Sequence, residues 1–269
     1  MEIIIIGSGN LATHLALALS AANHRIVQVY SRTEAHAREL AERVGSSYTA
    51  SLEEVRSDAD AYILSVKDDA LGGLAATLCP RNPSAVFMHT AGSIPMNVFK
   101  GYAQHYGVLY PMQTFSKGRE VDFSIIPCFI EASDVKTMAV IRTLAESISD
   151  KVVEADSERR KKLHLAAVLA CNLANHCYRL AERVLEEEET DFGLFLPLIE
   201  ETARKVRYLS PREAQTGPMV RYDTNVMEMQ LSLLPDERTR QIYRLMAESI
   251  HADATSNLSV SWAGGCQSL

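Results

Sequence analysis

The first twelve residues constrain this chain more than any other stretch. Ile3 to Ile6 form an unbroken apolar run, followed directly by Gly7-Ser8-Gly9-Asn10-Leu11-Ala12. Four consecutive isoleucines suit a parallel strand buried on both faces. The segment Leu11–Leu19 is rich in strong helix formers. The Gly-x-Gly-x-x-Ala spacing between them predicts a tight turn at Gly7, a close backbone approach at Gly9 and close helix-on-strand packing at Ala12. Such a turn presents backbone N–H groups and the positive end of a helix to a pyrophosphate. Gly7, Ser8, Gly9, Asn10 and Leu11 are therefore the expected contacts of a dinucleotide. The plain alternative is a glycine-rich turn with no ligand, and the strand–turn–helix context weighs against it.

The pattern continues as alternating strands and helices to about residue 155. Strands are expected at Ile26–Tyr30, Ser47–Thr49, Ala61–Val66, Ala85–His89, Gly107–Tyr110, Pro127–Glu131 and Lys151–Glu154. Helices are expected over Glu34–Val44, after Asp68 and Asp69 to Leu78, and over Ser133–Ser149. Ser51 and Glu54 have the spacing of a capping box and predict a further helix there. Alternation of this kind gives a parallel sheet covered on both faces.

From Asp156 the strand signal ends. Glu158 to Glu189 reads as one long helix, and a second runs from Leu194 to Leu209 with a bend at Pro197. Asp223 and Asp236 are expected N-caps of two more. The expected architecture is a doubly wound α/β sheet over residues 1–155, which binds a dinucleotide, followed by an all-α domain over 156–269 for substrate and dimer contacts. The tail from Ala252 is weakly periodic and suits either a mobile end or one docked on a neighbour.

Composition removes several classes. With 47% apolar residues the chain supports a full core, and its net charge of −7 is mixed along its length. No basic stripe is present, so nucleic acid is not an expected partner. No apolar run is long enough to span a bilayer, and no leader precedes the first strand. A cytoplasmic location is expected. The five cysteines show no Cys-x-x-Cys spacing and read as reduced thiols, with Cys171 and Cys177 expected in a helical core and no metal site expected.

The end of the second strand bears on which dinucleotide. NAD enzymes of this architecture place an acid there for the ribose 2′-OH. This chain reads Tyr30-Ser31-Arg32-Thr33, with no carboxylate before Glu34. A guanidinium flanked by two hydroxyls suits a 2′-phosphate. Ser31, Arg32 and Thr33 are therefore expected to select NADP, while also serving to cap the next helix.

Ligands of open α/β sheets sit outside the carboxyl ends of the strands. Val66 and Lys67, Thr90 and Ala91, and Ser93 fall at such ends and are expected to line the nicotinamide side, the first four as cofactor contacts and Ser93 as a substrate contact. His89 is the proton donor expected there, since an imidazole titrates near neutrality. It fits equally a histidine that fixes the turn before Gly92. Gln113 and Thr114 suit a substrate carbonyl or carboxylate, or bond only backbone in a proline-led turn. Lys67 suits a phosphate or substrate anion, or is merely solvated.

With these motifs in place, the chain resembles the Rossmann-like, DUF2520-containing proteins, which are similar in build to pyrroline-5-carboxylate reductases and the 6-phosphogluconate dehydrogenase-like set. The resemblance rests on Gly7–Ala12, Ser65–Asp69, His89–Ser93, Tyr110–Ser116, His164–Asn172 and Gln215–Pro218 with Arg221 and Asp223. It implies the fold and NADP as cofactor, and the first reading built on it is an oxidoreductase acting on a small, polar, anionic substrate in an interdomain cleft. By analogy of fold it implies a homodimer. Relatives often carry Ser at Ala91, Gly at Tyr222 and a His where this chain has Met229-Gln230.

In the helical half, His164, Val168 and Asn172 fall within about 80° of one another on a regular helix. On an otherwise apolar face the two polar residues are costly unless bonded, so His164 and Asn172 are expected either at a substrate cleft, as catalytic groups, or in a buried network. Arg221 either grips a substrate carboxylate or pairs with Asp223. The alternative to an enzyme is an NADP-binding sensor without turnover. A true pyrroline-5-carboxylate or other imine reductase is a further possibility.

Overall fold

The computed structural model describes residues 1–186 and 188–256. Eight strands form one sheet: β1 (Glu2–Ile6), β2 (Arg25–Tyr30), β3 (Ser47–Thr49), β4 (Ala61–Leu64), β5 (Val86–His89), β6 (His105–Pro111), β7 (Cys128–Ala132) and β8 (Val152–Glu154). Their order across the sheet is β3-β2-β1-β4-β5-β6-β7-β8. The sequence order therefore reverses between β1 and β4, the point at which an open α/β sheet leaves a crevice.

The isoleucine run explains the centre of this sheet. Ile3 and Ile5 pack with Leu15 and Leu19 of α1 (Asn10–Ala21), Leu40 of α2 (Glu34–Val44) and Ile141 and Leu144 of α4 (Val135–Glu146). Ile4 and Ile6 face the other side, against Leu71 and Leu78 of α3 (Leu71–Leu78) and Phe99. All four isoleucines are fully buried, a contribution of about 2 kcal/mol each. The alternation that normally marks one wet face is absent because helices cover both.

Three sequence expectations are corrected here. β7 runs antiparallel to β6, whereas the rest of the sheet is parallel. Residues 112–127 between them form no helix, and a parallel return needs a crossover. The Ser51–Glu54 helix does not form. Arg81 instead donates to the carbonyls of Leu52 and Val55, Gln28 donates to that of Glu54, and Ser51 Oγ bonds the Glu53 carboxylate. The long helix from Glu158 is interrupted: α5 (Ser157–Ala167) passes through a π-turn at Val168–Leu173 into α6 (Ala174–Glu186).

By internal packing the chain divides into two compact units, Met1–Asn172 and a second from Leu173 onward. The sequence texture changed at residue 156, but α5 is tied to the first unit by Arg160. This residue has no solvent exposure, ion-pairs with Glu131 of β7 and donates to the Ile94 carbonyl at 2.6 Å. Ser157 reinforces the tie, its hydroxyl donating to Glu131 at 2.8 Å.

The second unit contains α6, α7 (Leu196–Lys205), α8 (Pro211–Ala214), α9 (Pro218–Arg221), α10 (Thr224–Ser232) and α11 (Glu237–Thr255). Pro197 sits in the first turn of α7, where its missing N–H costs nothing, and so starts the helix rather than bending it. Asp223 and Asp236 cap α10 and α11, and the capping box lies at Ser210–Glu213. Cys171 and Cys177 are exposed, not in a core. Among the described residues of this unit only Met227, Thr239 and Ala247 are buried, while Leu194, Leu198, Leu233 and Leu245 are each more than 60% exposed. Cys266 and most of the tail lie outside the described residues. No helix among the described residues is long and apolar enough to cross a membrane.

Candidate functional site

A groove of about 840 Å³ opens in the first unit along the carboxyl ends of β1, β2, β4 and β5. Its floor is the β1–α1 turn. Gly7 has φ +122°, a conformation for glycine, and a Cβ placed there would lie 2.1 Å from the Ser65 carbonyl oxygen. Its N–H donates to the Tyr30 carbonyl at 2.8 Å, which binds the turn to β2. Gly9 differs. Its φ of −72° suits any residue, and among the described residues no heavy atom beyond its chain neighbours lies within 4 Å of the position its Cβ would take. The protein's own packing therefore does not require glycine at 9, and the space above it belongs to the open groove. No side chain caps α1 and no acid stands in its first turn, so its leading N–H groups remain available to an anion.

At the β2 end, Ser8 Oγ donates to Ser31 Oγ at 2.8 Å. Arg32 and Thr33 are exposed on the groove wall. Among the described residues Arg32 has no carboxylate partner, since Glu34 is paired with Arg38 at 2.8 Å. His36 and Lys117 extend this wall. The donor set fits a dinucleotide with a 2′-phosphate: a backbone cradle over the turn, then a free guanidinium and two hydroxyls where a ribose acid would otherwise stand.

The opposite end is built from β4, β5, β6 and α5. Val66, Lys67, Thr90, Ala91 and Ser93 line it. Thr90 Oγ1 donates to Ser65 Oγ at 3.1 Å, and Ser93 Oγ donates to Asp68 at 2.6 Å. Here the Tyr110 hydroxyl and His164 Nδ1 form a hydrogen bond of 2.9 Å, with their rings edge to face. Gly92 makes this possible: a Cβ on it would meet His164 Nδ1 at 2.5 Å. Burial holds the Tyr110 hydroxyl above its ordinary pKa, and the Arg160 charge works against that rise.

Several expected residues stand elsewhere. His89 lies in the core with no exposure, its ring stacked on Phe99 and its Nδ1 accepting the Ala91 N–H at 3.1 Å. Burial, with the Arg160 charge adding, pushes its pKa down to about 3. It is a neutral histidine that fixes the turn after β5 and does not itself line the groove. Gln113 and Thr114 are exposed and bond each other, the Gln113 Oε1 accepting the Thr114 N–H at 2.8 Å. Asn172 is exposed and outside the groove. A π-turn spans Val168–Leu173, so the regular-helix count does not apply between 164 and 172. Arg221 ends α9 in the second unit, and Asp223 bonds the Val226 N–H rather than Arg221.

Tyr110 and Gly92 lie within the clusters Tyr110–Ser116 and His89–Ser93 that the sequence puts beside the crevice, though it gave neither a role, while Asp68, His36 and Lys117 were missed as groove residues. Tyr110 carried a usable signal as an aromatic hydroxyl at the carboxyl end of a strand. Lys117 carried none, because a loop lysine is ordinarily solvated.

This arrangement defines a Rossmann-like protein with a glycine turn at one end of its groove and a hydrogen-bonded Tyr110–His164 pair at the other. Residues 2–87 match the family described as NADP oxidoreductase, coenzyme F420-dependent, and residues 126–250 match the domain of unknown function DUF2520. A "putative NADP oxidoreductase" from Bacteroides fragilis is 52% identical, with 93% of this chain and 97% of that one covered and a TM-score of 0.90. The chain belongs to this family of DUF2520-containing NADP oxidoreductases. A reductive aminase from Aspergillus terreus, solved with NADPH and ethyl levulinate, shares the fold at 15% identity, 93% and 92% coverage and a TM-score of 0.72. An imine reductase from Myxococcus stipitatus, solved with NADP+, does so at 14% identity, 94% and 92% coverage and a TM-score of 0.61. No curated protein matches the chain.

Proposed function

We propose that this chain is an NADPH-dependent reductase of a small polar substrate, with the Tyr110–His164 pair supplying the proton. The observation that carries the reading is the 2.9 Å bond between these two side chains on the groove that also holds the dinucleotide turn. Gly7 to Leu11 would hold the pyrophosphate, Ser31 to Thr33 the 2′-phosphate, and Val66, Thr90 and Ala91 the nicotinamide side. NADPH, when bound, supplies the hydride.

The residues of the chain handle the rest. Reduction of a C=O or C=N bond needs a proton at the heteroatom, and Tyr110 retains its proton at neutral pH because burial disfavours the phenolate. His164, half-buried and bonded to that hydroxyl through Nδ1, links it to solvent and can pass a proton along that bond. Arg160, buried behind the pair with Glu131, favours the phenolate as it forms. Lys67, exposed at the end of β4, is the cation on this side and favours an anionic substrate. The exposed apolar helices of the second unit need a cover, and a second copy of the chain supplies one in a homodimer.

The test is a titration with NADPH and NADH, repeated on Arg32→Ala, followed by NADPH consumption with a panel of imines, keto acids and the deazaflavin coenzyme F420. Tyr110→Phe and His164→Ala are expected to bind NADPH as the wild type does and to lose turnover by about a hundredfold or more. Binding that changes the fold but never consumes NADPH across the panel would favour a sensor. Full turnover in both variants would remove the pair from the chemistry.

A further inference from the structure

The connection from β6 to β7 contributes to the groove from a distance. Its middle is fastened at three points to the first two helices. Asn10 Nδ2 donates to the Phe115 carbonyl at 2.9 Å, His14 Nε2 donates to the Ser116 carbonyl at 2.9 Å, and Lys117 Nζ donates to Glu39 of α2 at 3.2 Å. The Phe115 ring stacks on His14 at 5.6 Å and on Phe123 at 5.8 Å. The backbone of residues 115–116 is thus held over α1, and the next side chain, Lys117, lines the same groove as Arg32 and Thr33.

We infer that Lys117 is a specificity-determining ligand of the cofactor's 2′-phosphate, released from Glu39 when NADP binds. The inference rests on the NADP reading of the groove and adds to it a cation from the far end of the unit. The Lys117–Glu39 pair is partly exposed on both sides, 32% and 52%, so it is readily exchanged. A phosphate monoester carries close to two negative charges at neutral pH and outcompetes one carboxylate for an ammonium. A lysine suits the exchange, because its charge rides on a flexible four-carbon stem while its backbone stays anchored. Among the described residues Asp68 is the one carboxylate that lines the groove, and it accepts the Ser93 hydroxyl at the other end.

The experiment is fluorescence titration of the full chain with NADPH and with NADH at low salt, on wild type, Arg32→Ala, Lys117→Met and Glu39→Gln. Lys117→Met is expected to weaken NADPH by about tenfold, the loss of one charge-assisted contact, while NADH affinity stays within about twofold. Glu39→Gln is expected to strengthen NADPH selectively, because it removes both the competitor and a repelling charge. Equal weakening of both nucleotides by Lys117→Met, or an unchanged NADPH to NADH ratio in both Lys117→Met and Glu39→Gln, overturns the inference. If wild type prefers NADPH and Arg32→Ala abolishes that preference, such a result overturns the Lys117 role alone. If wild type shows no preference, both the NADP reading and the role of Lys117 fall.

Discussion

Gly7 and Gly9 stand two residues apart in one turn, and the structure separates what each is for. At Gly7 the backbone has φ +122°, and an added Cβ would overlap the Ser65 carbonyl oxygen at 2.1 Å and its carbon at 2.9 Å. The backbone conformation costs an L-residue roughly 1–3 kcal/mol. Relieving the overlap requires the end of β4 to shift, an overpacking cost of roughly 1–3 kcal/mol. Gly7→Ala should therefore destabilise the first unit by about 4 kcal/mol, a drop of about 8–16 °C in its unfolding midpoint. At Gly9 the backbone is ordinary and the Cβ meets open space. Gly9→Ala should leave stability within about 1 kcal/mol, since reduced freedom of the unfolded chain offsets a slightly poorer N-cap. Its effect should fall on binding, because a methyl group then occupies the space above the turn. The assays are thermal unfolding without nucleotide and NADPH titration of the same preparations. Gly9→Ala that binds NADPH as tightly as wild type would refute the placement of the pyrophosphate over this turn. Gly7→Ala that unfolds at the wild-type midpoint would refute the account of the turn itself.

His89 should make the fold acid-sensitive. Its folded pKa of about 3 lies below the unfolded value of about 6.5, so as pH falls the unfolded chain takes up the proton first. The stability it contributes is present above about pH 6.5 and is lost below it by about 1.4 kcal/mol per pH unit. Urea unfolding of His89→Gln should show lower stability at pH 7.5 but a flatter pH dependence between 6.5 and 4.5, and an unchanged slope would contradict the burial of a neutral ring. The self-association reading predicts twice the chain mass in light scattering, with Leu198→Glu and Leu245→Glu shifting the population toward one chain mass. Wild type at a single chain mass would refute it.

What could be read in the sequence, and what could not, follows from how far apart the interacting residues lie. The phosphate end of the groove is local. Its turn, its glycines and its Ser31-Arg32-Thr33 element are each written within a few residues, and the strand before them announces itself by four isoleucines that alternate between two covered faces. The Tyr110–His164 end is assembled across the chain, from residues 54 apart, and so is one addition to the turn's end, Lys117, which meets Glu39 across 78 residues. No spacing rule links them. His164 stood out as a polar residue among apolar ones, but its expected partner Asn172 is exposed and does not line the groove, and the π-turn between them leaves no mark in residue spacing. His89 misled for a related reason. A histidine at the carboxyl end of a strand has the right address for catalysis, and only its full burial against Phe99, with the Arg160 charge near, shows that the ring does not line the groove and is held neutral. The same Arg160 reaches Glu131 and the Ile94 carbonyl, so one buried guanidinium fixes the turn after β5, docks α5 and sets the charge behind Tyr110. A substitution there acts on the groove without lining it, through the position of His164 over Gly92 and the field at the tyrosine.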